Sequence, residues 1–171
     1  SAANPAFPRE EDIRLAQDLL FFAYRDFTNA ADVILEELGL GRAHHRALHF
    51  IGRNPGITVS ELLAILRITK QSLARVLGAL VDQGYVGQAQ GREDRRQRLL
   101  TLTQPGRALE RRLFERQRER LAAAYRDAGA AAVDGFRGVM QGIMDEEASR
   151  DIAETHGAAR AAARPAKVER S

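Results

Sequence analysis

The sequence predicts a mainly α-helical fold with one small β-hairpin, and three observations predict it. Apolar residues recur every three or four positions over most of the chain, which is the spacing of an amphipathic helix. Between residues 85 and 103 the pattern changes to that of two short strands on either side of a charged loop. Capping residues, glycines and prolines separate these segments.

Residues 9–53 are predicted to form two helices. One face of a long helix over 9–38 carries eight apolar residues at helical spacing: Ile13, Ala16, Leu20, Ala23, Phe27, Ala30, Ile34 and Leu38. Gly39 ends this helix. A shorter helix over 43–53 follows, and Asn54-Pro55-Gly56 ends it.

Two short capped helices come next. Thr58 and Glu61 form a capping box that starts a helix over 59–66. After a tight turn at Arg67-Ile68, Thr69 caps a second helix. The apolar spacing of this second helix predicts the buried face Leu73, Val76, Leu77 and Leu80.

A hairpin follows these helices, with strands over 85–89 and 98–103 around the loop 91–97. Two helices joined by a turn and followed by a two-stranded wing are the order of a winged helix-turn-helix domain, here 57–104.

Residues 105–156 are predicted to form two further helices, over 105–128 and 131–153. Their apolar stripes, and that of the long first helix, exceed what a winged domain of about 50 residues can cover, so burial across a dimer is expected. The basic tail 157–171 carries no cap and is expected to be disordered.

Composition excludes several classes of protein. The chain has no cysteine, which excludes disulfides, thiolate zinc sites and thiol redox switches. No stretch approaches the ~20 apolar residues of a membrane span, and the N-terminus shows no signal peptide, so a cytoplasmic protein without membrane contact is expected. No phosphate loop, nucleophile elbow or metalloprotease motif is present, so neither an enzyme nor a cofactor is expected.

Positive charge is concentrated where a nucleic acid would bind. Residues 57–103 carry seven Lys/Arg and four Asp/Glu, a balance of +3, and the tail 157–171 carries four and one, again +3. This distribution favours phosphate contacts by the winged segment.

The helix over 70–83 opens with residues suited to DNA. The candidate recognition residues are Thr69, Lys70, Gln71, Ser72 and Arg75. Arginine and glutamine can bond two atoms of a guanine or adenine edge, while a serine and a helix N-terminus suit phosphate. A recognition helix presents this end to the major groove.

The hairpin loop supplies a second candidate contact, made of Arg92, Asp94, Arg95, Arg96 and Arg98. Four arginines so close together repel one another unless an anion lies nearby, and a wing can lay such a tip along the DNA backbone or in the minor groove. Asp94 cannot favour phosphate, so it is expected to orient an arginine.

The stretch 57–106 resembles the MarR family of winged-helix regulators. The family's wing reads Asp-x-Arg, a basic or polar run, and then Leu-Thr-x-x-Gly. Here these motifs are Asp94-Arg95-Arg96 and Leu102-Thr103-Gln104-Pro105-Gly106. Residues 69–77 resemble the family's recognition helix, and Gly84-Tyr85-Val86 resembles its entry to the wing.

The resemblance covers residues 10–153 and implies an obligate homodimer that places its two winged domains on a pseudo-palindromic double-stranded DNA operator. It further implies a transcriptional regulator, in many members a repressor, that is released by a small-molecule effector bound between the dimerisation helices and the DNA-binding domain. Among the wing arginines, it implies that Arg96 enters the minor groove.

Two histidines leave several interpretations open. His45 and His49 share a helix face and could bind a metal, but no acidic neighbour completes the ligand set, so no metal is assigned. They could be purely structural. With Tyr24 and Phe27 they could instead line an effector pocket, because the ligands of the family bind between these helices.

Two other functions remain open as well. The basic residues could be a solvated surface of an architectural protein that binds DNA without sequence preference, or the winged domain could bind a protein.

Overall fold

The computed structural model describes residues 7–162, and the side chains of residues 7–156. Seven helices and three strands succeed one another in this part of the chain: α1 (Glu10–Glu37), α2 (Arg42–Arg53), β1 (Ile57–Thr58), α3 (Val59–Leu66), α4 (Lys70–Asp82), β2 (Val86–Gln90), β3 (Arg98–Leu102), α5 (Gln104–Ala128), α6 (Ala130–Ile143) and α7 (Glu146–Ala162). The mainly α fold with a hairpin wing is confirmed. No helix among these residues is long and apolar enough to cross a membrane.

The strands form one antiparallel sheet in the order β1-β3-β2. The hairpin register pairs Val86 with Leu102 and Gln90 with Arg98, and β1 adds the pair Ile57 and Leu100. The two-residue strand β1 was not predicted, because a strand this short has no periodicity. It fastens the start of α3 to the wing.

One hydrophobic core joins the C-terminal half of α1, helix α2, the winged domain and the first turns of α5. Its largest fully buried side chains are Leu35, Leu48, Ile51, Leu62, Leu73, Leu80, Leu100 and Leu113. The predicted buried face of α4 is confirmed, since all four of its residues lie in this core. The shared core therefore fixes the helix-turn-helix of α3 and α4 against α1, α2 and α5.

The Leu-Thr-x-x-Gly motif has a structural cause. Leu102 is buried, and the Thr103 hydroxyl oxygen accepts a hydrogen bond from the Gly106 backbone N–H at 3.1 Å, which caps α5. A Cβ at Gly106 would collide with the backbone carbonyl oxygen of Tyr85. Only glycine lets α5 begin this close to the start of β2.

The single helix predicted over 131–153 is wrong, because the structure divides it into α6 and α7. Met144 leaves the helical conformation with ψ 148°, and the Asp145 carboxylate accepts a hydrogen bond from the Ala148 backbone N–H at 2.8 Å. The apolar spacing continues through this break, so periodicity alone could not show it. Helix α7 also continues to Ala162, past the predicted start of the tail at 157. The remainder of the predicted disordered tail, 163–171, lies outside the described residues.

Large apolar side chains are exposed mainly on two helices, and α5 and α7 expose a few more (Phe114, Leu121, Tyr125 and Ile152). On α1 these are Ile13, Leu15, Leu19, Leu20, Phe21, Phe22, Tyr24 and Val33, and on α6 they are Phe136, Val139 and Ile143. In α1, burial is confined to Ala31, Ile34 and Leu35 near its C-terminal end. A soluble monomer rarely exposes apolar surface on this scale.

Candidate nucleic-acid interface

The N-terminal end of α4 is fixed by a side-chain cap. The Thr69 hydroxyl oxygen accepts a hydrogen bond from the Ser72 backbone N–H at 3.1 Å, and it donates one to the Ser72 hydroxyl oxygen at 2.9 Å. Ser72 is therefore half-buried and turned into the cap. Of the five predicted recognition residues, these two shape the helix end.

The other three, Lys70, Gln71 and Arg75, are exposed on one face of α4. Ala74 and Gly78 continue this face without bulk. No carboxylate of residues 7–156 lies within ion-pair distance of either cation.

The first turn of α4 contains no acidic residue to complement the helix dipole. Cations at a helix N-terminus add to the positive end of that dipole. An external anion can lower the energy of this arrangement, and DNA phosphate is such an anion.

The wing, formed by β2, β3 and the loop 91–97, closes through its own backbone. The Gly91 N–H donates to the Gln97 carbonyl oxygen at 2.9 Å, and the Gln97 N–H donates to the Asp94 carbonyl oxygen at 3.1 Å. A Cβ at Gly91 would lie 2.5 Å from that same Asp94 oxygen. Glycine is thus needed for the tight loop that displays the arginines.

Asp94 contacts Arg96 in two ways. Its Oδ1 accepts a hydrogen bond from the Arg96 backbone N–H at 3.0 Å and lies 3.6 Å from the Arg96 Nε. The Arg96 side chain is nevertheless 95% exposed. The carboxylate therefore fixes the backbone beneath Arg96 while the guanidinium stays accessible.

Two glutamines support two of the remaining wing arginines, Arg95 and Arg98, and sequence reasoning missed both. The Gln90 side-chain amide donates to the Arg95 carbonyl oxygen at 2.9 Å, and Arg98 donates to the Gln88 side-chain oxygen at 2.9 Å. The alternation of Gln88 and Gln90 along β2 was the available signal. Arg92 and Arg95 are exposed at the tip, so the wing presents a cationic edge.

The predicted effector-pocket residues lie on α1 and α2. Tyr24 is exposed and Phe27 is half-buried. Desolvation lowers the pKa of both His45 and His49; the neighbouring His49 further lowers that of His45, and Arg53 and then His156 further lower that of His49. No group of three or more His, Asp or Glu within the described residues could hold a metal ion.

Comparisons with known proteins agree on one family. Residues 38–97 match the sequence model of the MarR family. The HTH-type transcriptional regulator PetP of Rhodobacter capsulatus is 52% identical over 139 residues, which cover 81% of this chain and 84% of PetP.

Solved structures share the fold. A mutant MarR from E. coli complexed with operator DNA has a TM-score of 0.63 at 21% identity, over 82% of this chain and 100% of that one. NadR in complex with 4-hydroxyphenylacetate has a TM-score of 0.63 at 20% identity, over 81% and 94%. Given the likeness to PetP over most of both chains, the match at residues 38–97 and the winged architecture, this chain belongs to the MarR family of transcriptional regulators.

Proposed function

We propose that the protein binds a pseudo-palindromic double-stranded DNA operator as a homodimer and represses transcription until a small molecule releases it. The observation that carries this proposal is the exposed face of α4, where Lys70, Gln71 and Arg75 have no acidic partner among the described residues. The proposed function is binding alone, with no catalytic step. The proposed location is the cytoplasm.

Base reading is assigned to Gln71 and Arg75. Their side chains start one turn apart on the same face, and each can bond two atoms of a base edge in the major groove. The small residues Ala74 and Gly78 let the helix approach the groove closely. Lys70, Thr69 and the capped helix end are assigned to phosphate.

The wing is assigned to the DNA backbone and the minor groove. The Arg96 side chain is 95% exposed, and its backbone N–H is bonded by Asp94. Arg92, Arg95 and Arg98 add positive charge next to it, which suits the negative potential of a narrow minor groove.

The dimer is supported by the apolar surface of α1 and α6. These faces carry side chains such as Leu19, Phe22 and Val139, each more than half exposed in the single protomer. Burial against a second copy would remove this surface from water. The two recognition helices would then meet half-sites about one helical turn apart, ~34–36 Å.

The effector is proposed to bind near Tyr24 and Phe27 of α1 and His45 and His49 of α2. The bound 4-hydroxyphenylacetate of NadR supports an effector, since NadR shares this fold. The aromatic rings and the partly desolvated imidazoles suit a small aromatic or polar ligand. Replacing both histidines by alanine is expected to weaken release of the operator by the effector and to leave operator binding in place.

The decisive experiment is footprinting on a genomic fragment that carries the protein's own promoter, with excess competitor DNA at ~0.15 M salt. A protected palindrome is the expected result. Salt-sensitive protection spread over all sequences would indicate an architectural protein instead. An absence of binding to any duplex would indicate a protein-interaction module.

A further inference from the structure

The turn between α3 and α4 contains a residue in an unusual conformation. Arg67, directly after α3, has φ 52° and ψ 41°, and it is the only non-glycine residue with positive φ in the described part of the chain. Residues with a Cβ disfavour this left-handed region and occupy it only where their surroundings hold them there. Thr69, which caps α4, follows two residues later, so the backbone of Arg67 determines where the recognition helix begins.

The Arg67 side chain reaches the junction of α6 and α7. One guanidinium nitrogen lies 2.8 Å from Oδ2 of Asp145, and the other lies 3.2 Å from Oε2 of Glu147. Glu147 is 80 residues away along the chain. These ion pairs therefore connect the helix-turn-helix to the C-terminal helices.

Asp145 uses both of its carboxylate oxygens. While Oδ2 contacts Arg67, Oδ1 accepts the hydrogen bond from the Ala148 backbone N–H that caps α7. The hydrogen bond from Arg67, and after it the one from Ala148, lower the pKa of Asp145 to about 2. The carboxylate is ionised at neutral pH, and the lowered pKa keeps the ion pair with Arg67 in place under mildly acidic conditions as well.

Among the residues whose side chains are described, α3 and α7 do not pack closely against each other beside these ion pairs. A cavity of about 230 Å³ separates the two helices, with Ala64 and Ile65 on one wall and Asp151 and Glu154 on the other. The three side chains of the ion pairs are about half exposed, and exposed ion pairs contribute little to folding stability. What these ion pairs can affect is the position of the helix-turn-helix relative to α6 and α7.

We propose that Arg67 is a positioning residue whose ion pairs with Asp145 and Glu147 fix the N-terminal end of α4 relative to α6 and α7. The inference rests on the proposed function and deepens it, because it names a contact through which a shift of the C-terminal helices reaches Lys70 and Gln71. A direct contact of Arg67 with DNA phosphate is the competing role, and the two roles predict opposite effects of removing the carboxylates.

Two sets of variants separate these roles. Arg67→Gly removes the guanidinium and keeps the left-handed turn, which glycine adopts freely. Asp145→Asn with Glu147→Gln removes the acidic partners, keeps a capping oxygen at 145 and leaves Arg67 charged. Asp134→Asn with Glu146→Gln is the matched control, since it removes two carboxylates from α6 and α7 that do not contact Arg67.

Operator affinity is measured for each variant over a range of salt concentrations. Both the Arg67 variant and the carboxylate variant are expected to bind the operator at least about fivefold more weakly than the control. This factor is the lower end of the coupling usually found between two sites. Their combination should be no weaker than either alone. Tighter binding by the carboxylate variant, with the slope of log affinity against log salt reduced by about 1 in Arg67→Gly, would assign Arg67 to phosphate and overturn the proposal. Unchanged affinity in both would overturn it as well.

Hydrogen exchange in the DNA-free protein supplies a readout that does not depend on the operator. Both variants are expected to speed amide exchange at residues 68–73 while the thermal unfolding midpoint stays near that of the control. Unchanged exchange in the carboxylate variant would refute the positioning role. If the unmodified protein protects no operator, the proposed function fails, and this measurement still decides the role of Arg67.

Discussion

Gly106 illustrates how a single residue can set the approach of two elements. An alanine there would push its Cβ against the Tyr85 carbonyl oxygen, which is backbone and cannot turn aside. Gly106→Ala is expected to lower the free energy of unfolding by about 1–3 kcal/mol, as overpacking does. Gly78→Ala is the control, since a Cβ there would meet nothing within 4 Å and α4 should gain about 0.5–1 kcal/mol. Denaturant unfolding of both variants measures the contrast, and equal effects would contradict the close approach.

Arg75 is the residue on which sequence discrimination is expected to depend most. Arg75→Ala should reduce the preference for the operator over a base-substituted operator by ~1–3 kcal/mol, because a bond to a base edge is lost. Competition binding with both duplexes measures this preference. Arg126→Ala, which removes the same charge from the last turn of α5, should leave it unchanged. An equal loss of affinity for every DNA sequence would instead assign Arg75 to a contact with the DNA phosphate backbone.

The lowered pKa values of His45 and His49 predict how the stability of the fold depends on pH. Their pKa values in the folded chain lie below the ordinary 6.5, chiefly because neighbouring protein atoms partly desolvate the charged imidazole; the effect is firmer at the half-buried His45, where Asp32 opposes it, than at His49, whose side chain is exposed. As the pH falls, the unfolded chain therefore takes up protons first. The contribution of these two histidines to the free energy of unfolding is fully present above pH 6.5 and is lost as the pH drops below that value. His45→Gln with His49→Gln should flatten this decline in urea unfolding curves. An undiminished decline would place its origin elsewhere, for example at His44, whose pKa is also lowered.

At the scale of elements, the wing should act mainly through charge. Arg96→Ala is expected to weaken operator binding and to reduce the salt slope by about 1, because one fewer counterion is released. Affinity measured across salt concentrations tests this, with Arg126→Ala as the charge-matched control. A variant with unaltered affinity and slope would remove the wing tip from the interface.

Prediction from sequence succeeded for elements with a regular pattern and failed where tertiary contacts decide. The spacing of Leu73, Val76 and Leu77 was enough to orient α4, and Thr58 and Thr69 marked two helix starts through their caps. The break before α7 was missed, because apolar spacing runs on to Met144 while Asp145 acts as a cap. Strand β1 is defined only by its pairing with Leu99 and Leu100, which are distant in sequence.

The candidate site shows the same limit. Lys70, Gln71 and Arg75 could be predicted as exposed, because they lie opposite the apolar stripe of their own helix. The partners of Arg67, in contrast, lie on α6 and α7 far along the chain, and no local pattern relates them to the turn. The supporting roles of Gln88 and Gln90 required the hairpin register.

At the scale of the whole molecule, assembly should depend on the apolar faces of α1 and α6. Leu19→Asp with Val139→Asp places charges on both faces and is expected to convert the dimer to a monomer, since a buried unpaired carboxylate is costly. Sedimentation velocity measures the change. Ser60→Asp, an exposed site on α3, is the control and should stay dimeric. A double variant that still forms dimers would show that the interface lies elsewhere.

The long first helix affects how operator occupancy depends on the concentration of the protein. Among residues 10–24 every side chain except the half-buried Asp12 is exposed, and an isolated helix of about 15 residues is marginal in water. In the proposed dimer, ordering of this segment and pairing of the protomers become one equilibrium, so the folded fraction follows the law of mass action. Dilution of the protein by cell growth would then empty the operator more steeply than in proportion to protomer number, with no effector involved.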